Sequence, residues 1–324
     1  MSNRFPRRIA LGLSLLCLSP LARAEEKELV KPAIAAAATA ALPTLSADEM
    51  IAAGERATKA ADKLGWRLGC QAWTFNKRSL FDTIDQVHAL GLHYIEAFPG
   101  QMVDRDKAVK MDPGMSAETM AAIKKKLAES DIKIVSFGVT GIPGDEAGAR
   151  KFFEWAKAME LETIVSEPNE NQFDVLNKLV DEFGINLALH NHPNPSHYWN
   201  PDTVLKVTEG RSKRIGSCAD VGHWQRSGIP PIEAMKKLQG RMIESHFKDL
   251  SKFDDKSAHD VPWGTGTGDA KAMMREFQNQ GAKITFLVEY EHFTPGLVQD
   301  VAHSVKFFGE TCEQLEAEKK VSAQ

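Results

Sequence analysis

RIGSCADVGHWQRSG, residues 214–228, puts a short apolar run, Ile215 to Ala219, directly ahead of Asp220, with His223 three residues further on. An aspartate and an imidazole where an apolar strand stops are a first sign of a metal site, because both are ordinary ligands of divalent ions. The pattern recurs on either side. Downstream, His246 and Asp249 stand in SHFKD and Glu289 in FLVEYEH; upstream, His190 and His192 stand in LALHNHP and Glu167 in IVSEP. Ligand-type residues thus return at the same point of successive units, which is what a ring of parallel strands needs to hold an ion at its mouth.

Extending the reading outward gives eight such units. Strands are predicted at 66–74, 92–98, 132–139, 163–166, 185–189, 215–219, 242–247 and 284–288. Helices are predicted between and after them at 79–90, 116–129, 145–159, 172–183, 201–209, 230–238, 269–280 and 297–317. In the first of these helices Leu80, Ile84, Val87 and Leu90 form one apolar stripe. Runs such as INLAL and ITFLV are apolar on both faces, as parallel strands covered by helices are. Eight strand–helix units are the count of an α/β fold, the single (β/α)8 TIM barrel, expected here over 64–318. A doubly wound open sheet is the rival, but it usually carries a glycine-rich phosphate loop after its first strand, and CQAWTFNKRS is not one.

The chain ahead of the barrel reads differently. Ser46 with Glu49 makes a capping box and Gly65 a stop, so an extra helix, only mildly apolar, is expected to pack outside the domain. Residues 25–45 are alanine-rich without a durable period and read as a tether, giving a tether-plus-helix segment over 25–63. Arg4, Arg7 and Arg8 precede an apolar run at 9–18 and then Ala22-Arg23-Ala24, the pattern of a signal peptide over 1–24. The expected location is therefore periplasmic or secreted. Arg7-Arg8 also permits a twin-arginine signal. Ten or so apolar residues fall short of the roughly 20 that a spanning helix needs, so no stable membrane insertion is expected after cleavage.

The 324 residues, 43% hydrophobic and 26% charged, suffice for one full-size core. Loss of the leader removes four arginines and no acids, leaving 36 basic against 44 acidic residues and a net charge of about −8. Nucleic acid, which demands a basic face, is a poor partner for such a surface. Cys17 departs with the leader. Cys70, Cys218 and Cys312 are too widely spaced for a disulfide framework, and the first two sit in strand-like runs as small buried fillers.

The motif order resembles the sugar isomerase/epimerase superfamily of xylose-isomerase-like TIM barrels over residues 66–310. The similar features are YIEAFPG with Glu96, CADVGHW for D-x-x-H, SHFKD for H-x-K-D, the glycine-rich WGTGTGD, and VEYE for the terminal glutamate. The resemblance implies one divalent ion held by Asp220, His246 and Glu289 with a fourth ligand from strand five. Family members usually end that strand in glutamate, whereas this chain has Leu187-Ala188-Leu189-His190. His190 accordingly takes the fourth place, with Glu167 one strand earlier in reserve. Two imidazoles and two carboxylates suit Mn²⁺, Zn²⁺ or Co²⁺ better than Mg²⁺.

The implied activity is a metal-dependent sugar isomerase or epimerase working through an enediolate. In the epimerases it resembles, two opposed ligand glutamates trade the proton. This chain keeps only Glu289 of that pair, which leaves the second relay to Glu167, His192 or Lys248, the last on the strand face of His246. Glu96, His192, His223, Trp73 and Trp263 are the expected substrate contacts, with Trp224 a further ring able to stack on a sugar. His223 is expected either to touch substrate or to orient a ligand. The loop HNHPNPSHYWNP from His190 is long for a connector and is expected to close one side of the pocket.

Export and the lack of a phosphate-gripping loop with lysine point to a small-molecule partner, a neutral or oxidised non-phosphorylated sugar or glycoside; homo-oligomerisation stays open. A 3-keto-glycoside lyase or hydratase, which removes the proton at C2 and expels the aglycone as exported relatives do, is the runner-up. Elimination suits a chain with one glutamate of the pair, since no proton need return to the opposite face. A noncatalytic sugar-binding barrel and an endonuclease-like relative stand behind it, the latter disfavoured by acidity and too few ligands for a three-zinc site.

Overall fold

The computed structural model describes residues 42–322. The expected signal peptide and all but the end of the tether lie outside the described residues. Eight parallel strands close into a barrel: β1 (Arg67–Gln71), β2 (Tyr94–Ala97), β3 (Lys133–Thr140), β4 (Thr163–Ser166), β5 (Asn186–His190), β6 (Ile215–Cys218), β7 (Met242–Phe247) and β8 (Thr285–Val288). Each pairs with its neighbours in sequence, and β8 returns to β1 with Arg67 opposite Thr285 and Cys70 opposite Val288. Closure removes every sheet edge, and the helices bury the outer faces. The chain is the TIM barrel that the eight apolar runs predict.

The helices are α1 (Ala47–Leu64), α2 (Leu80–Ala89), α3 (Ala117–Glu129), α4 (Glu146–Ala158), α5 (Phe173–Phe183), α6 (Pro201–Thr208), α7 (Val221–Arg226), α8 (Pro231–Lys237), α9 (Ala270–Asn279) and α10 (Leu297–Ser322). The stripe of α2 is fully buried at Leu80, Ile84, Val87 and Leu90. Burial of such a side chain contributes roughly 1.5–3 kcal/mol, far more than the helix's own propensity. The extra helix α1 has the expected ends. Ser46 Oγ accepts from Glu49 N (3.3 Å), Glu49 Oε2 accepts from Ser46 N (2.8 Å), and Gly65 closes it at φ +74°. Its buried face is small, Gly54, Ala57, Ala60 and Ala61, and lies along α10 and the end of α2.

Three short elements go beyond the sequence expectation. A hairpin, Met102–Asp104 with Lys107–Lys110, occupies the polar loop after β2; α7 follows β6 at once; and Asp249–Leu250 pairs with Asp260–Val261 after β7. Runs of two to six residues carry too little periodicity to declare themselves. Cys70, Cys218 and Cys312 are free and buried; burial pushes the Cys70 thiol up to about 12, as suits packing rather than reactivity.

The glycine loop that follows β7 is organised by one carboxylate. Asp249, buried, accepts from the backbone N–H groups of Leu250 (3.0 Å), Gly264 (2.9 Å), Gly266 (3.0 Å) and Gly268 (3.1 Å). A Cβ on Gly266 would fall 2.3 Å from Asp249 Oδ1, which explains a glycine there. The aspartate of SHFKD is therefore a backbone anchor and not a ligand. Asp249→Ala strands those donors, and with hydrogen bonds to charged groups contributing about 1.5–3 kcal/mol each, a loss of about 3 kcal/mol or more is expected in urea unfolding. An unchanged midpoint would show that the loop holds itself.

Candidate metal centre

Four neighbouring strands, β5 to β8, deliver the polar cluster. His190 is the last residue of β5, His246 the penultimate residue of β7, and Asp220 and Glu289 follow the ends of β6 and β8. One ligand-type atom from each of the four lies within 4.8 Å of the others, and all four side chains are buried. Two further groups share its imidazoles, Glu167 with His190 and His192, and Cys218 and Glu244 with His246.

Local structure fixes each donor. Asp220 caps α7: its Oδ1 accepts from His223 N (2.7 Å), which turns Oδ2 inward. Asn191 clamps its backbone, Oδ1 accepting from Asp220 N (2.9 Å) and Nδ2 donating to Asp220 O (2.9 Å). The two cluster imidazoles are each backed by a carboxylate. His190 turns Nδ1 to Glu167 Oε1 (3.0 Å) and Nε2 towards Asp220 Oδ2 (3.5 Å). His246 turns Nε2 to Glu96 Oε2 (2.9 Å) and Nδ1 towards Glu289 Oε2 (3.1 Å). Outer carboxylates of this kind fix ring orientation and raise ligand basicity.

Three inward atoms, Asp220 Oδ2, His246 Nδ1 and Glu289 Oε2, are buried with no well-directed hydrogen bond among the described residues. Two carboxylate oxygens and an imidazole nitrogen converging in this way are the donors a divalent cation takes, and the Lys248 ammonium already stands beside both oxygens. The donor set therefore fits a metal ion. Lys248 supplies positive charge beside it, fully buried, with Nζ in ion-pair contact 2.7 Å from Glu289 Oε2 and 2.9 Å from both Asp220 Oδ2 and Glu291 Oε2. Burial pulls its pKa down, but Asp220, Glu289, Glu291 and Asp260 outweigh burial and hold it well above the usual lysine range. Glu289, although burial opposes it, is held below the usual carboxylate range by Lys248 and His246.

Above the cluster opens a cleft of 310 Å³. Its lining joins apolar Trp73, Phe98, Pro99 and Val139 with polar His190, His192, His223, Glu289 and Glu291. Trp73 is 41% exposed and rests edge-on against Phe98 with centroids 5.0 Å apart. Rings and polar groups lining one cleft suit a ligand with an apolar face and many oxygens.

Residues 84–311 match the family described as xylose isomerase-like TIM barrel. The chain belongs to this family. A solved, uncharacterised protein from Parabacteroides distasonis is 31% identical, superposes with a TM-score of 0.63, and the match covers 76% of this chain and 99% of that one. A xylose isomerase-like TIM barrel protein from Mycobacterium smegmatis, solved with magnesium, is 15% identical over 77% of this chain and 97% of its own, with a TM-score of 0.62. The 3-keto-D-glucoside 4-epimerase of E. coli is 12% identical over 75% and 98%, with a TM-score of 0.57. No curated protein matches the sequence.

Within this xylose isomerase-like barrel, the structure brings His190, Asp220, His246 and Glu289 together and sets His192, His223 and Trp73 on the cleft. Other expectations need correction. Glu96 does not face a substrate: it lies inside β2, fully buried, against His246 and Ser136. Trp263 is 2% exposed and packs on Phe247 (4.7 Å) and Phe308 (6.1 Å), and Trp224 is likewise core. Lys248, an ammonium gripped by three carboxylates, has no lone pair to take a proton and serves as a counter-charge. Glu167 stands behind His190, where it also accepts from His192 Nδ1, and both imidazoles hold its pKa down to about 2 against the effect of burial. The loop after β5 lines the cleft with its first residues and is tied down by Tyr198, whose hydroxyl donates to Pro168 O (2.5 Å).

Gln71 is among the strand-end candidates expected from the sequence, whereas neither Asn191 nor Glu291 stands out there. Gln71 is pinned at the cleft floor, Nε2 donating to Gly138 O (3.1 Å). Glu291 had a signal: in VEYEH it is two residues past Glu289, the spacing that returns to one face of an extended segment. Replacing Glu167 or Glu96 by Gln removes the charge behind one imidazole. Each variant is expected to weaken Zn²⁺ or Mn²⁺ binding about 10–100-fold by titration calorimetry. Equal affinity in both variants and the wild type would show that the rings need no such backing.

Proposed function

We propose that this chain is a divalent-metal-dependent isomerase or epimerase that takes a proton from carbon beside the carbonyl of a non-phosphorylated or oxidised sugar. The observation that carries the reading is the convergence of Asp220 Oδ2, His246 Nδ1 and Glu289 Oε2, buried and short of hydrogen bonds, beneath the cleft. His190, Asp220, His246 and Glu289 would hold the ion, Mn²⁺, Zn²⁺ or Co²⁺ before Mg²⁺, and when bound it supplies Lewis-acid stabilisation of charge on substrate oxygen.

The remaining work falls to the chain's own side chains. Trp73, Phe98 and Pro99 receive the apolar face of the ring and orient it. Glu289, ionised and at the cleft, is the base for the carbon-bound proton. His192, half exposed and bonded to Glu167, is placed to exchange a proton with a substrate oxygen. The leader-like sequence at 1–24 supports an exported enzyme and, with it, a non-phosphorylated substrate.

A second reading, a 3-keto-glycoside lyase or hydratase, is favoured by one feature. Strand five ends in His190, so no glutamate opposes Glu289 to return a proton to the other face. Elimination needs only Glu289 to take the C2 proton and His192 to protonate the departing oxygen. The printed activity of the E. coli neighbour makes 3-keto-glucosides the first substrates to try under either reading.

Metal analysis of the purified protein, then incubation with 3-keto and ordinary glycosides in D₂O, separates the readings. A rearranged sugar carrying deuterium supports the isomerase, free aglycone the lyase. Glu289→Gln should cost either activity at least 10²–10⁴-fold, the usual contribution of a general base. Sugar binding that needs no metal and survives Glu289→Gln, with no turnover, would establish a noncatalytic barrel instead.

A further inference from the structure

Arg226 lies one turn beyond His223 on α7, only 9% exposed. Its guanidinium is engaged on every side. Nε donates to Ala258 O (3.1 Å), Nη2 to Asp260 Oδ2 (3.3 Å), and Nη1 both to Glu291 Oε2 (3.2 Å) and to His223 Nδ1 (3.1 Å). Asp260 is itself held, since its Oδ2 also accepts from Glu291 N (3.1 Å). The guanidinium is thus fixed in place by two carboxylates and a carbonyl before it reaches the histidine.

A guanidinium has five N–H donors and no acceptor, so a ring nitrogen that meets it in a hydrogen bond must offer a lone pair. The Nδ1 of His223 therefore bears no hydrogen, and the ring hydrogen sits on Nε2. That nitrogen is 3.5 Å from Asp220 Oδ2, and His223 lines the cleft. The outer nitrogens of the other two rings meet carboxylates instead: His190 Nδ1 meets Glu167 and His246 Nε2 meets Glu96, partners that accept a hydrogen. His223 directs its outer nitrogen at a cation and is left with N–H inward.

We infer that Arg226 is a positioning residue that locks His223 as a fixed Nε2–H donor, aimed at an oxygen of the substrate. On this arrangement His223 offers no lone pair to a metal and none to a proton on carbon. It recognises a carbonyl, hydroxyl or enolate-type oxygen, and it turns away a substrate carrying an ammonium at that point, where two donors would meet. The identity of the oxygen as a sugar's rests on the function proposed above; the hydrogen's position on the ring does not.

The test begins with long-range ¹H–¹⁵N NMR of the histidine rings in the full chain, metal-free and Zn²⁺-loaded, with His223→Gln to assign the resonance. The expected result is an Nε2–H ring in the wild type. In Arg226→Met the Nδ1–H form should appear, while Zn²⁺ affinity by calorimetry stays within about twofold. Turnover of whichever 3-keto-glucoside proves active should fall about 10²-fold in kcat, as when one donor to a developing oxyanion is lost, with little added loss when His223→Gln is combined with it. An Nδ1–H or doubly protonated His223 in the wild type overturns the inference, as does an unchanged ring in Arg226→Met. Should Arg226→Met not fold, the wild-type spectrum decides alone, and since it needs no substrate, failure of the sugar reading leaves it intact.

Discussion

Two carboxylates buried at the mouth of a barrel are the constraint on which the rest of the site depends. Asp220 and Glu289 have almost no contact with water, and an ionised carboxylate in such surroundings persists only with positive charge close by. Lys248 provides part of it, and its three carboxylate contacts explain why a lysine can be fully buried in a barrel lumen. The architecture follows from that need. Only a closed sheet lets β6, β7 and β8 project Asp220, Lys248, His246 and Glu289 onto one point, while the surrounding helices keep water away and the interactions strong.

The neighbouring side chains divide by what stands behind them. Carboxylates behind His190 and His246 take a hydrogen from the outer nitrogen, so that a bound cation would meet a lone pair on the inner one; a guanidinium behind His223 leaves it a hydrogen donor. Identical residue types thus acquire opposite tasks from partners contributed by other strands, Glu167 from beyond β4 and Glu96 from within β2. Asp249 illustrates the same dependence on surroundings. Next in sequence to Lys248, it is drawn out of the cluster by the four backbone N–H groups that it gathers from its own neighbour and the glycine loop.

Much of this was legible in the chain. Apolar runs located each barrel strand to within a few residues, because a strand buried on both faces leaves a continuous signature, and the Ser46–Glu49 box with Gly65 marked α1 to the residue. Ligand-type residues at strand ends were legible for the same reason. What sequence did not yield was depth. Glu96 and His246 lie inside their strands and not past them, so Glu96 meets His246 a layer below the cleft instead of meeting substrate. Trp263 and Trp224 are rings in polar-looking stretches whose burial depends on Phe247, Phe308 and the helices outside the barrel, contacts of long sequence separation. Arg226 reads as a surface arginine until Asp260 and Glu291, more than thirty residues away, are folded against it.

The exchange of glutamate for His190 at the end of β5 is best understood as a displacement of charge. A glutamate there would bring a third anion into direct contact with the cluster. His190 brings an imidazole nitrogen instead, and the anion stands one ring further out, on Glu167. The cluster then carries two carboxylates in contact and two more, Glu167 and Glu96, acting through imidazoles. Through-ring charge raises the basicity of nitrogen donors without adding oxygen donors, so the group could hold a metal ion through nitrogen and oxygen together. The same displacement leaves Glu289 as the one carboxylate of the four-residue cluster that lines the cleft, and the one-sided proton removal proposed above rests on that placement.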